Sequence, residues 1–284
     1  MSNRAGIAIA GESNSGLVRK HNEDSFCVIN RPDRDAALAV VADGVGGHCH
    51  GEIASLICCR DLARGFLDAS AGNLDSPYAA DKFLRDSMRE INRKIFQRNY
   101  CEQQARPMAS TLIAVIFFRD ALVMGAAGDS RLYELDADRQ LRQLSVDHTL
   151  SAEYIREYGR DLSGHSVAYG GMIARAVGPR SELELEVRHF PRGPESRYLL
   201  CSDGVSRQLS EQEIKQILSS ASAPGQKAEE LIAASLKHGG IDNATAIVIA
   251  FGALPEITPD VRREEAETPE PPDVEEEDDD VTPP

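Results

Sequence analysis

Short apolar runs rich in Val, Ile and Leu recur along the first 252 residues, separated by stretches in which apolar positions fall three or four apart. The runs at 7–10, 37–42, 112–118, 122–126, 131–135, 197–201 and 245–251 predict buried strands, because a brief continuous apolar run fits a strand covered on both faces. Leu84, Met88, Ile91 and Ile95 recur at helical spacing, as do Ile53, Leu56, Ile57 and Phe66, which predicts amphipathic helices over roughly 51–68 and 79–100. Ser210 followed by Glu213 forms a capping box ahead of Ile214, Ile217 and Leu218, and a further helix carries Leu231, Ile232 and Leu236. Strands grouped in runs with helices in pairs between them indicate an α+β fold rather than βαβ alternation. From residue 255 the chain turns to Pro, Glu, Asp and Thr, with too little apolar surface to offset the entropy of ordering. The expected organisation is therefore a folded domain over 1–254 and a disordered acidic tail over 255–284.

Several aspartates fall where predicted strands stop or start. Asp43 follows 37–42, Asp203 follows 197–201, Asp242 precedes 245–251, and Asp129 lies in Gly128-Asp129-Ser130-Arg131 between two strands. If these ends share one rim, the carboxylates converge, and packed carboxylates repel unless cations or protons neutralise them. Asp43 and Asp203 each precede a glycine, Gly44 and Gly204, which predicts tight turns that let a backbone carbonyl approach a cation. An oxygen-rich donor set suits Mg²⁺ or Mn²⁺. His48-Cys49-His50 has the atoms for zinc but no partner pair at zinc spacing.

Charge narrows the partners. The net charge is −15, but residues 256–284 hold thirteen acids against Arg262 and Arg263, which leaves −4 for the rest of the chain. No Lys/Arg cluster stands out, so nucleic acid is not an expected partner. The N-terminus shows neither a basic, apolar leader nor a long apolar run, so no membrane span is expected and a reducing cytoplasm is. There the six cysteines, which lack C-x-x-C spacing, serve as small buried hydrophobes.

Five segments follow in order along the chain: Arg19-Lys20-His21-Asn22-Glu23-Asp24, Val41-Ala42-Asp43-Gly44-Val45-Gly46-Gly47-His48, Gly128-Asp129-Ser130-Arg131, Cys201-Ser202-Asp203-Gly204 and Asp242-Asn243-Ala244-Thr245. With Ser110-Thr111, Asp147-His148-Thr149 and Arg175-Ala176-Val177-Gly178, this ordered set resembles the PPM, or type 2C, metal-dependent Ser/Thr protein phosphatases of bacterial type, over nearly all of residues 5–252. The resemblance implies a four-layer α-β-β-α sandwich of two antiparallel sheets with the metal centre at one edge. It implies that Asp43 bridges two Mn²⁺ or Mg²⁺ ions, that the Gly44 carbonyl binds one of them, and that Asp203 and Asp242 complete the other. Glu23 and Asp24 would reach the metals directly or through water, and Asp129 with Asp203 would hold a third, weaker ion.

The implied reaction is hydrolysis of phosphoserine and phosphothreonine on proteins by direct attack of a hydroxide bridging the two ions, in a monomer opposing a Ser/Thr kinase. Arg19 is the residue assigned to the substrate phosphate, since its planar fork of donors matches phosphate oxygens. Arg131 is expected to pair with a carboxylate near its turn. Where eukaryotic members carry a histidine after Asp-Gly, this chain has Val45, leaving a metal-bound water, His48 or His148 as proton donor. Residues 148–172, with Gly159, Gly164, Gly170 and Gly171, match the family's variable flap. A catalytically dead phosphoprotein binder is the rival from outside enzymes, and it predicts loss of acids that this chain keeps.

Overall fold

The strongly apolar runs pair into two antiparallel sheets, each backed by a pair of helices. A computed structural model describes residues 6–45, 50–69, 74–102, 106–159 and 171–252. One sheet has the order β1-β11-β10-β7-β8, from β1 (Gly6–Asn14), β7 (Arg131–Leu135), β8 (Leu141–Gln143), β10 (Arg197–Cys201) and β11 (Ala244–Gly252). The other has the order β2-β3-β5-β6-β9, from β2 (Asp24–Arg31), β3 (Ala36–Val45), β5 (Leu112–Phe117), β6 (Ala121–Ala127) and β9 (Glu186–Pro191), with β4 (Ala109–Ser110) paired to the end of β3. Helices α1 (Gly51–Asp68) and α2 (Pro77–Cys101) cover the second sheet, and α5 (Glu211–Ser219) and α6 (Pro224–Lys237) cover the first. The four layers are those expected. The acidic stretch from 255 lies outside the described residues.

Alternation along each strand builds three cores at once. In β3, Leu38, Val40 and Ala42 face the helices while Ala39 and Val41 face the other sheet. In β11, Ala246 and Val248 face α5 and α6 while Ile247 and Ile249 face the partner sheet. Both faces of these central strands are buried, which is why they read as unbroken apolar runs rather than as alternating ones. Phe117, Tyr198 and Phe251 meet between the sheets with ring centroids 5.3–6.0 Å apart.

Some expectations are corrected. β2 and β9 have no counterpart among the apolar runs, since both mix polar and apolar residues and are only partly buried. In α1 the buried stripe runs through Ala54, Cys58, Cys59, Leu62 and Phe66, whereas Leu56 is 56% exposed. The Asp-Gly pairs are not tight turns: Gly44 lies inside β3, Gly204 lies in the short helix α4 (Asp203–Ser206), and neither has positive φ. The Ser210–Glu213 capping box is present; Cys58, Cys59 and Cys201 are buried free thiols, Cys27 is half-buried, and Cys101 is exposed, against expectation. No helix among the described residues is long and apolar enough to cross a membrane.

Two asparagines interrupt the apolar stripe of α2 and tie the helix to irregular backbone. Asn99 donates to the carbonyls of Met108 and Gly178 and accepts from the Met108 amide, and Asn92 donates to Arg180 and Ser181 and accepts from Gly178. Removing one side chain strands several buried backbone groups, which cost free energy when unpaired. Asn99→Ala is expected to lower unfolding stability by about 2–4 kcal/mol, measured by urea denaturation.

Candidate metal centre

Antiparallel register brings the starts of β2, β7 and β11 and the ends of β3, β6 and β10 to one rim. Asp24, the first residue of β2, lies opposite Asp43 near the end of β3. Cys201 at the end of β10 lies opposite Ala246 near the start of β11, so Asp203 and Asp242 emerge side by side. Between β6 and β7 the chain passes from one sheet to the other, and Asp129 sits at that crossing, after Gly128 at φ 117°.

Close backbone contact explains the glycines. A Cβ on Gly44 would lie 2.4 Å from the carbonyl carbon of Gly51 and 2.7 Å from the Glu23 oxygen. A Cβ on Gly204 would lie 1.9 Å from the Asn243 oxygen. The first residue of α1 thus packs directly on the backbone after Asp43, and α4 packs directly on the backbone after Asp242.

Hydroxyls and amides fix the acids. The Asp43 amide donates to Thr111 Oγ1 at 2.9 Å, and the Asp43 carbonyl accepts from the Thr111 amide and Ser110 Oγ. Asp24 Oδ2 accepts from Ser202 Oγ at 2.7 Å and Thr245 Oγ1 at 2.6 Å, both supplied by the other sheet. Asp129 Oδ2 accepts from Arg207 Nη2 at 2.6 Å, and Arg207 Nη1 is 2.9 Å from Asp203 Oδ2. Arg19, 45% exposed, donates to Asp242 at 2.8 Å. Asn243 joins three segments, accepting from the Glu23 amide and donating to the carbonyls of Ser15 and His21.

Burial and mutual repulsion raise the acids. Burial, then the charges of Asp203 and Asp242, push Asp24 up to about 6 against the hydrogen bonds from Thr245 and Ser202. Burial likewise pushes Asp203 up to about 6, with Arg207 opposing and Asp129 and Asp242 adding. Asp43 is held well above the usual carboxylate range by burial and by Asp24, Asp203, Asp129 and Asp242. Asp129 is also raised by burial, with Arg207 opposing.

These residues fit hard cations. Every donor is an oxygen, Asp43 is acted on by four neighbouring acids, and Asp24 Oδ1 is buried without a hydrogen-bond partner. Among the described residues no three ligating side chains are already closed onto a common point, and the carboxylates of Asp129, Asp203 and Asp242 are held by guanidinium groups instead.

Asp24, Asp43, Asp129, Asp203 and Asp242 thus act on one another electrostatically, while Glu23 and Asp43 both act on Arg19. Arg131 pairs with Asp147, its Nε and Nη2 2.7–3.2 Å from the carboxylate, as expected. His148 is 2% exposed, accepts from the Gly128 amide, and is lowered to about 4 by burial and the charge of Arg175. It props the turn before Asp129 rather than offering a proton. His48, Cys49 and residues 160–170 of the flap lie outside the described residues. Ser202, Thr245 and Asn243 went unassigned from sequence, although all three stand inside recognised motifs, and Arg207 stands outside any.

The layers are those of bacterial serine/threonine phosphatases of known structure. The family model for protein phosphatase 2C matches residues 17–238. The serine/threonine phosphatase Stp of Listeria monocytogenes is 32% identical over 237 residues, 82% of this chain and 92% of its own. PppA, a key regulatory component of the T6SS in Pseudomonas aeruginosa, superposes with a TM-score of 0.73 at 30% identity, over 86% of this chain and 97% of its own. The catalytic domain of the phosphatase PstP in complex with two manganese ions superposes with a TM-score of 0.70 at 32% identity, over 87% and 98%. The chain belongs to the protein phosphatase 2C family.

Asp24 and Asp203 titrate near 6 when folded and near 4 when unfolded, so the native state binds protons that the unfolded chain does not. Their stabilising contribution is complete below about pH 4 and lost as pH rises through about 6. In EDTA, the melting temperature of Asp203→Asn is expected to gain on that of the native chain between pH 4 and pH 7. Differential scanning fluorimetry checks this, and added Mn²⁺ at pH 7 should stabilise the native chain more than the variant.

Proposed function

We propose that this chain hydrolyses phosphoserine and phosphothreonine on proteins, using two divalent cations, Mn²⁺ or Mg²⁺, and opposing a cytoplasmic Ser/Thr kinase. The carrying observation is the convergence of Asp24, Asp43, Asp129, Asp203 and Asp242 at one rim, where burial raises four of them and repulsion from the other rim acids adds to three, Asp24, Asp43 and Asp203. That PstP, at 32% identity, holds two manganese ions supports the same use here. Asp43 and the Gly44 carbonyl, with Asp203 and Asp242, would hold the ions, and Glu23 and Asp24 would orient bound water around them. Such ions supply a water acidic enough to ionise near neutral pH and positive charge for the phosphoryl oxygens. We assign this activity to residues 1–254.

The chain's own groups favour water over a covalent nucleophile. Ser202 and Thr245 donate to Asp24, Ser110 donates to backbone carbonyls, and Thr111 is engaged by the Asp43 amide and Ser130. Burial pushes the Cys201 thiol up to about 12. None of these is free to attack phosphorus. Arg19 would be the phosphate's partner: it is half-exposed and held to Asp242 through Nη2, and its fork could turn to the phosphate dianion. Val45 follows Asp43-Gly44 and His148 is committed to Gly128, which leaves a metal-bound water or His48 to protonate the departing seryl or threonyl oxygen.

Phosphate release from p-nitrophenyl phosphate and from a phosphothreonine peptide tests this. Activity should require Mn²⁺ or Mg²⁺, vanish in EDTA, and fall by about 10²-fold or more in Asp43→Asn. A folded native chain inactive with every divalent cation would overturn the proposal. Arg19→Ala should lower kcat/KM by about 10- to 100-fold, the weight of a charge-assisted hydrogen bond, leaving the number of bound Mn²⁺ unchanged in equilibrium dialysis.

A further inference from the structure

Arg207 lies one helical turn after Asp203 and spans the two acids on that side of the centre. Its Nη2 is 2.6 Å from Asp129 Oδ2 and its Nη1 is 2.9 Å from Asp203 Oδ2. Nη2 also reaches the Gly171 carbonyl at 3.5 Å. The three side chains line a polar cavity of about 210 Å³ that also admits Arg131, Thr149 and Ser151. Asp129 is 3% exposed, and its second oxygen is buried without a hydrogen-bond partner.

This is where the resemblance placed a third, weaker cation, and the residues present do not fit it. A Mg²⁺-sized ion sits about 2.0–2.1 Å from each oxygen it binds. Guanidinium nitrogens 2.6 Å from Asp129 Oδ2 and 2.9 Å from Asp203 Oδ2 already satisfy those oxygens and set a fixed positive charge against any ion that approaches the remaining oxygen, Asp129 Oδ1. The guanidinium keeps its charge at all accessible pH and is tethered beside Asp203, so a cation must compete with a permanent occupant.

Charge balance points the same way. Glu23, Asp24, Asp43, Asp129, Asp203 and Asp242 bring six negative charges when ionised, and Arg19 and Arg207 bring two positive ones. The remainder equals the charge of two divalent cations. A third would bring two positive charges beyond what these side chains balance.

We infer that Arg207 is a built-in counter-ion that closes the Asp129–Asp203 side of the centre to a third divalent cation, so that the native chain binds two ions where Arg207→Ala binds three. The inference rests on the proposed two-cation phosphatase and concerns a residue outside that pair of ions.

Equilibrium dialysis of the full chain against Mn²⁺, with free ion read by electron paramagnetic resonance, counts the sites without an activity assay. The native chain should saturate at two ions. Arg207→Ala and the closer isostere Arg207→Gln should each gain a third, at least about tenfold tighter than any further native binding, the weight of one charge-assisted hydrogen bond. The double variant Arg207→Ala/Asp129→Asn should return to two. Thermal melts confirm that each variant is folded, and Arg207→Gln stands in if Arg207→Ala is not. A native chain with three sites, its third changed less than twofold by Arg207→Gln, overturns the inference, as does a variant that gains none. A native chain that binds no Mn²⁺ overturns the two-cation function itself, a result distinct from either.

Discussion

Repulsion among carboxylates at one edge of the sandwich shapes everything within reach of it. Asp24, Asp43 and Asp203 sit in a dehydrated rim, where burial and the neighbouring acids, Asp242 among them, raise the cost of ionising each. Such a cluster persists only if the surrounding structure is rigid enough to hold it and offers compensating charge. Both are present. Two arginines answer part of the charge, and a frame of hydroxyls and amides prevents the acids from turning out to solvent.

That rigidity comes from the sheets beneath. Antiparallel pairing fixes Asp24 opposite Asp43, and a slip of one residue would turn an acid from the rim into the core. Aromatic packing of Phe117, Tyr198 and Phe251 between the sheets holds the two halves in register, and the glycine contacts at Gly44 and Gly204 let helices abut the acid-bearing backbone directly.

The central strands and the acids at their ends were legible because burial on both faces leaves an unbroken apolar signal, and because the motifs are local. What was illegible depends on partners far apart in the chain. Asp24 meets Ser202 and Thr245 across 178 and 221 positions, and Asn243 meets Ser15 across 228. No spacing rule relates such residues before the topology is known. β2 escaped because polar Asn30 and Arg31, on opposite faces, follow a mix of polar and apolar residues, so neither a run nor a clean alternation results. Asp-Gly was misread as a turn because glycine serves two ends, unusual dihedrals and close approach, and sequence alone does not separate them. Arg207 gave no signal, since a lone arginine after a short helix is ordinarily a solvated surface residue.

Asp24 belongs to one sheet by its backbone and to the other by its side chain, through Ser202 and Thr245. The centre is therefore a seam, and whatever neutralises its acids also fastens the two halves of the sandwich along that edge. Folding and chemistry share the same fastening. A substitution deep between the sheets, remote from the rim, would be felt there as a change in how the halves are aligned.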